Sequence, residues 1–280
     1  MLAFDVPSPS PRHFYKDLRS AYFARKEGLW ITNIDDTHEL LSVSTQLLGV
    51  VTEALWDPAA AKRMHEHLVA GQFHTVNSKR WRHRILADGK THDDGQHVDE
   101  QLLGVLALAS FDRDAAAAEY ARWKSRYFTA HGPMAWWDGS PSGQRLENAQ
   151  ASLVGVVAET YFDRVEAAER YGVLALHLRN EEGLWQDEHG DRVTKTQLLG
   201  AWAAMTIDSA LGKREYELAR GRCYSAERGL WVPLDTDEPD DRQPFVDNQL
   251  LGIILAEAIS RAELSGAEAT PTFLSFDAHA

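Results

Sequence analysis

The tetrapeptide Gln-Leu-Leu-Gly occurs four times, at 46–49, 101–104, 197–200 and 249–252, and a looser copy, Ser-Leu-Val-Gly, lies at 152–155. The five closing glycines, Gly49, Gly104, Gly155, Gly200 and Gly252, are about 45 to 55 residues apart. A second marker precedes each one. Gly28-Leu29-Trp30, Gly183-Leu184-Trp185 and Gly229-Leu230-Trp231 are nearly identical, and Trp81 and the Trp136-Trp137 pair fill the other two slots. Two markers in constant order at this period mean that one supersecondary unit is built five times and stacked on its own copies.

Each unit reads as a helical hairpin. After each glutamine the apolar residues recur at three and four, as in Leu47, Leu48, Val51 and Leu55, or Leu250, Leu251 and Ile254. These helices are apolar on more than one side (105–111, 201–205), so other helices must enclose them. Each breaks at a cap signal for a second helix: Asp57-Pro58, Asp112, Asp163 and Asp208-Ser209. The second helices, such as 115–126 and 165–179, carry more charge and read as a half-solvated outer layer. The chain opens with an outer-type helix near 11–26, and its last strong helix, near 247–263, is inner-type. Each of those two lacks a partner unless they pair with one another, which closes the row into a ring. An open solenoid would instead need polar terminal repeats. The expected fold is all-α, a closed α/α toroid of about five helical hairpins forming one domain over 1–263. A tail rich in Ala, Ser, Thr and Pro follows at 264–280.

A tryptophan or Gly-aromatic turn, a short loop, and then a Thr or Asp before an apolar inner helix resembles the α/α-toroid proteins. These include the six-hairpin glycosidases and sugar epimerases, and the terpenoid cyclases and protein prenyltransferases. The resemblance covers nearly the whole chain but lies in repeat architecture, and this chain has five units where the six-hairpin families have six. What it implies is an active site on the face carrying the longer, outer-to-inner connections.

Charge and composition exclude several classes. The formal net charge of −13 argues against a nucleic-acid partner, which needs clustered Lys and Arg, and against docking on an anionic membrane. No apolar stretch is long enough to span a bilayer, and residues 1–12 lack the pattern of a secretory leader, which points to the cytoplasm. Cys223 is the single cysteine, so an intrachain disulfide and a Cys-rich zinc site are excluded. No Gly-rich phosphate loop, dinucleotide fingerprint or GxSxG elbow is present, and no cofactor is expected. A small-molecule substrate is the expected partner, with the oligomeric state open.

The outer-to-inner connections are acidic and begin at tryptophans. Repetition itself signals structure, so Trp30, Trp185 and Trp231 read as packing plugs, and Gln46, Gln101, Gln197 and Gln249 as hydrogen-bonders at helix starts. Functional residues should break the repeat. On that test Arg82, His83, Arg84, Asp94, His97, Trp137, Glu147 and Asp235 stand out, and the candidate acids and bases come from the loop carboxylates Asp94, Glu100, Glu147 and Asp247, with His83 or His97 as alternatives. Trp137, Trp81, Arg82, Arg84 and Asp235 are the candidate substrate contacts, with Trp137 as the stacking platform. Three sharper motifs are present in the loops. His92-Asp93-Asp94-Gly95-Gln96-His97 has metal-ligand residue types but no standard spacing, so no metal is assigned. Asp35-Asp36-Thr37-His38-Glu39 has the DDxxE form of class I terpene synthases but lies in a loop, and Asp235-Thr236-Asp237-Glu238 only distantly resembles a class II cyclase acid. Carboxylates beside aromatic platforms suit a sugar, and paired carboxylates across a cleft suit glycoside cleavage. The leading reading is a carbohydrate-active enzyme, a hydrolase or an epimerase/isomerase. A terpenoid or prenyl cyclase-like enzyme and a non-catalytic small-molecule scaffold are the alternatives, separated from it by the polarity of the cavity.

Overall fold

The computed structural model describes residues 10–24, 28–32, 40–75, 78–86, 92–93, 97–129, 134–139, 145–234 and 245–265. Within them the helices are α1 (Pro11–Tyr22), α2 (Val43–Ala54), α3 (Pro58–Ala70), α4 (Val98–Ala109), α5 (Arg113–Tyr127), α6 (Ala149–Glu159), α7 (Arg164–Leu178), α8 (Thr194–Ile207), α9 (Ser209–Cys223) and α10 (Val246–Ser265). The strands are β1 (Phe23–Ala24), β2 (Leu29–Trp30), β3 (Leu40–Ser42), β4 (His74–Thr75), β5 (Arg80–Trp81), β6 (Arg84–Leu86), β7 (His92–Asp93), β8 (Trp137–Gly139), β9 (Arg145–Glu147), β10 (Tyr224–Ser225) and β11 (Leu230–Trp231). They pair antiparallel as β1–β2, β4–β5, β8–β9, β10–β11 and the three-stranded β3–β6–β7.

The even-numbered helices form the inner ring. Each touches the next, α2 to α4, α6, α8 and α10, and α10 returns to α2. The odd-numbered helices pack outside as α2–α3, α4–α5, α6–α7 and α8–α9, and the ring closes because α1 packs on α10. Every residue of α2 is buried, whereas α5 buries one stripe, Ala116, Tyr120, Trp123 and Tyr127. The inner-to-outer turns are tight because an aspartate caps each outer helix: Asp57, Asp112, Asp163 and Asp208 accept from backbone N–H groups of the first turns of α3, α5, α7 and α9.

The repeated residues form one clasp, built five times. Gln46 accepts from the Trp30 N–H at 2.8 Å and donates to the Trp30 carbonyl at 2.8 Å. Gln101, Gln197 and Gln249 do the same for Trp81, Trp185 and Trp231. In the third unit Ser152 keeps only the donor half, to the Trp136 carbonyl at 3.3 Å. The indole then lies against the glycine three residues on. A Cβ at Gly49, Gly104, Gly155, Gly200 or Gly252 would come within 1.9 to 2.2 Å of that indole nitrogen. An aromatic from the outer helix completes the stack: Tyr15, Tyr120, Tyr171 and Tyr216 pack on the five-unit series at four places, and His65 takes the fifth, 5.5 Å from Trp81.

A second fivefold contact joins neighbouring units at one end of the ring. The residue three before each glutamine opens an inner helix and bonds to the loop of the next unit. Val43 N–H donates to the His83 carbonyl, Val98 N–H to Asp138 and Ala149 N–H to Glu188. The Thr194 hydroxyl donates to the Val232 carbonyl, and Val246 N–H to the Thr32 carbonyl, at 3.0 Å. The last bond joins the final inner helix to the first loop, so it closes the ring by the same contact that builds it. At the opposite end, arginines clamp the turn of the next unit: Arg113 to the Tyr161 carbonyl, Arg164 to Ile207 and Arg261 to Leu55.

Two predictions follow from the clasp. Gly200→Ala should lower the unfolding free energy by about 1–3 kcal/mol, because backbone and indole must part. Gly172→Ala on α7, where a Cβ meets nothing within 4 Å, should be neutral or slightly stabilising. Urea denaturation of both variants checks this, and equal losses would refute the clasp. Burial, reinforced by His74, holds the His65 imidazole down at about 4. Between that value and the ordinary one near 6.5 the unfolded chain binds more protons, so this site costs stability as the pH falls through the window. His65→Tyr should remove that cost, gaining about 2 kcal/mol at pH 5 relative to its effect at pH 7.5. Parallel denaturation curves at the two pH values measure it.

Candidate active site at the loop mouth of the ring

The residue two before each clasp glutamine, or before Ser152 in the third unit, lies in the first turn of its inner helix and is polar in every unit: Ser44, Asp99, Gln150, Lys195 and Asp247. In the structure several of these converge. Lys195 Nζ on α8 stands 3.8 Å from Asp99 Oδ2 on α4, 3.7 Å from Asp247 Oδ2 on α10 and 3.5 Å from Ser44 Oγ on α2. Neither α2 nor α4 adjoins α8 in the ring, so this lysine reaches across the axis and forms a floor beneath the mouth. Burial pulls its pKa down, but Asp247, Asp99 and Glu100 outweigh that and hold it above the ordinary lysine value. The ammonium is therefore charged. Beside it, Gln150 Nε2 donates to Thr196 Oγ1 at 3.5 Å.

A histidine pair borders this floor. His83 follows β5 by two residues, and its Nδ1 is 2.7 Å from Oε1 of Glu100, a buried carboxylate in the first turn of α4. The carboxylate is the acceptor, so Nδ1 carries the proton and Nε2 is the nitrogen that exchanges one. The His97 ring stacks on His83 with centroids 3.9 Å apart and planes at 28°. His97 Nδ1 is 3.6 Å from Asp138 Oδ2. Asp138 itself is fixed by the Val98 N–H at 2.6 Å and Asn148 Nδ2 at 2.8 Å. Burial pushes the Asp138 carboxyl pKa up; the Val98 bond opposes that and Asp99 adds to it. Each imidazole is thus backed by its own carboxylate, and both rings keep part of their surface open, 21% for His83 and 35% for His97. Among the described residues no three His, Cys, Asp or Glu side chains gather as a metal set.

Solved structures share this architecture. A D-mannose isomerase superposes with a TM-score of 0.58 at 12% identity, over 96% of this chain and 85% of that one. Cellobiose 2-epimerase from Bacillus thermoamylovorans gives 0.56 at 12% identity, over 91% and 87%. The GH76 α-mannanase of Bacteroides thetaiotaomicron gives 0.54 at 10% identity, over 92% and 98%. The fold is an α/α toroid. No known family profile and no curated protein matches the sequence.

The toroid brings Glu100, His83, His97 and Asp247 together at one mouth. Glu147 is exposed in β9, paired in register with Trp137, and makes no ion pair among the described residues. Trp81 is buried in the clasp with Gly104 and Gln101, and Arg82 follows it with its N–H on the Phe73 carbonyl. Arg84 sits in β6 opposite Ser42 and Asp93. Asp94 and Asp235 lie outside the described residues, as do 35–39 and 236–238 of the two cyclase-like motifs and 94–96 of the 92–97 segment. Sequence reasoning missed Asp99 and Lys195 as site residues, and Asp138 as the partner of His97. The signal for the first two was available, since aligning the units shows a polar residue two before the glutamine in every one. Asp138 had a weaker signal, its place two residues after the tryptophan, where His83 also stands.

Lys195→Met should leave two poorly solvated carboxylates unpaired and cost roughly 3 kcal/mol at pH 7. Adding Asp99→Asn and Asp247→Asn should recover much of that loss. In the unaltered protein the raised lysine pKa means that this contribution is full below about 10.5 and is lost as the pH climbs beyond it. Thermal unfolding of the single and triple variants measures the coupling, and additive losses would show that the three groups do not interact.

Proposed function

We propose that this toroid is a carbohydrate-active enzyme, and that its chemistry is sugar isomerisation or epimerisation by proton transfer at the mouth. The observation that carries this reading is the His83–Glu100 pair stacked on the His97–Asp138 pair. An imidazole titrates near neutrality, and a buried carboxylate on Nδ1 fixes its tautomer and stabilises the charged ring that forms when Nε2 accepts a proton. In this reading Nε2 of His83 takes the proton from the carbon beside the carbonyl of the open-chain sugar and returns it to the neighbouring carbon in isomerisation, or to the opposite face of the same carbon, after the enediol turns over, in epimerisation. His97 gives a proton to the carbonyl oxygen as the enediol forms and regains one when the product carbonyl forms, from the adjacent hydroxyl in isomerisation or from the same oxygen in epimerisation. The polar, charged floor suits a hydroxyl-rich ligand rather than an isoprenoid. The fold shared with a D-mannose isomerase and a cellobiose 2-epimerase supports the same substrate class. No helix among the described residues is long and apolar enough to cross a membrane.

Glycoside hydrolysis is the second reading, favoured by one observation: Asp99 and Asp247 face one another across Lys195, and the fold is also that of an α-mannanase. Glycoside cleavage uses two carboxyls, one of them protonated. Here both are salt-bridged to an ammonium held charged, which places them better as a floor than as an acid–base pair.

Incubation of the protein with D-mannose, D-fructose or cellobiose in D2O should place deuterium at the carbon next to the carbonyl, read by NMR. His83→Asn and Glu100→Gln should each lower that exchange by about 10²–10⁴-fold with the fold retained. Release of reducing ends from α-1,6-mannotriose without any exchange would establish the hydrolytic reading instead.

A further inference from the structure

The floor of the mouth bears on which sugars it admits, an inference that rests on the acid–base reading above. Lys195 is the one cation of the axial layer among the described residues, and Asp99 and Asp247 already take its charge. Glu100 and Asp138 add two further carboxylates beside the stacked histidines. Carboxyl groups therefore outnumber ammonium groups around the described floor, where burial weakens solvent screening.

A second observation is independent of charge. Asn248, one residue after Asp247, is 4% exposed, and Thr45, one residue after Ser44, is fully buried. Asn248 Oδ1 and Thr45 Oγ1 have no hydrogen-bond partner among the described residues. They lie in the first turns of α10 and α2, which adjoin in the ring. A buried oxygen without a partner costs free energy until a donor reaches it. A ligand hydroxyl arriving beside Asp247 supplies the donor that Asn248 Oδ1 lacks, and further hydroxyls can donate to the Asp99 and Asp247 carboxylates, of which Asp247 Oδ1 also accepts from the Asn248 N–H at 2.8 Å. A phosphate or carboxylate supplies acceptors only and adds like charge.

We infer that this floor is a hydroxyl-donor subsite, and that it selects uncharged sugars over phosphorylated or carboxylated ones. Asp99 and Asp247 are then specificity-determining residues, acting by repulsion of anions as well as by acceptance of hydroxyl protons.

Calorimetric titration with matched ligands tests it: D-mannose, cellobiose and α-1,6-mannotriose against D-mannose 6-phosphate and D-mannuronate. The neutral ligands should bind at least tenfold more tightly than their anionic counterparts at low ionic strength, and added salt should narrow the gap. Asp247→Asn should narrow it as well, with Asp99→Asn as the second variant if the first fails to fold. Tighter binding of an anionic sugar, or a gap that neither salt nor substitution alters, overturns the subsite while leaving the acid–base reading in place. Silence from every sugar overturns both, and deuterium exchange without this discrimination overturns the subsite alone.

Discussion

The clasp between tryptophan, glutamine and glycine governs the rest of the molecule. An indole pressed on a helix leaves no room for a Cβ beneath it, so the helix must carry glycine there. The backbone N–H and carbonyl of that tryptophan are buried by the same contact and need partners, and one glutamine amide satisfies both. The clasp ties the start of each outer-to-inner loop to the first turn of its own inner helix. It also dictates where the next residues go. Two positions past the tryptophan the chain crosses onto the neighbouring inner helix, which is how Thr32, His83 and Asp138 come to bond there. The candidate site is thus a by-product of the device that closes the ring.

The two ends of the ring then have different prospects. At the turn end, aspartate caps and arginine clamps satisfy the backbone within a few residues and leave little chain to vary. At the loop end the helix starts point their side chains toward one axis, and the residue two before the glutamine meets its counterparts from other units. Four of the five equivalent positions meet at Lys195, and they cannot all carry the same charge. The chain resolves this by placing Ser44, Asp99, Gln150, Lys195 and Asp247 there, so that one ammonium bridges two carboxylates and a hydroxyl. Repetition serves the packing, and departure from repetition serves the mouth.

Several departures show the same logic elsewhere. Ser152 in place of glutamine reaches only the tryptophan carbonyl. Where His65 replaces tyrosine, the packing site acquires a titratable group held neutral by burial. Glu53 and Glu159 occupy one position on α2 and α6 and gather different partners: Tyr15 and Arg19 for the first, Lys124 for the second. Each shows that an outer seam tolerates variation so long as a buried carboxylate finds a donor.

Read along the chain, the spacing of the Gln-Leu-Leu-Gly and tryptophan markers determines the inner and outer layers and the need for closure, because a repeat that cannot bury its apolar face alone must stack on its copies. Aspartates before polar helices mark the outer starts for an equally local reason. His83 and His97 stand out in the sequence as departures from the repeat, and Glu100 and Asp247 as carboxylates of the acidic loops. Which groups touch is not legible there. Lys195 lies 96 residues from Asp99 and 52 from Asp247, and only ring geometry carries it across the axis to both. Likewise the sequence marks Trp81 and Glu147 as candidates alongside His83, and tertiary structure alone places the first in a clasp and the second in an exposed strand. Local chemistry is written in the order of residues, whereas convergence at an axis depends on how five helices are rotated about it, and that is settled only when the last helix meets the first.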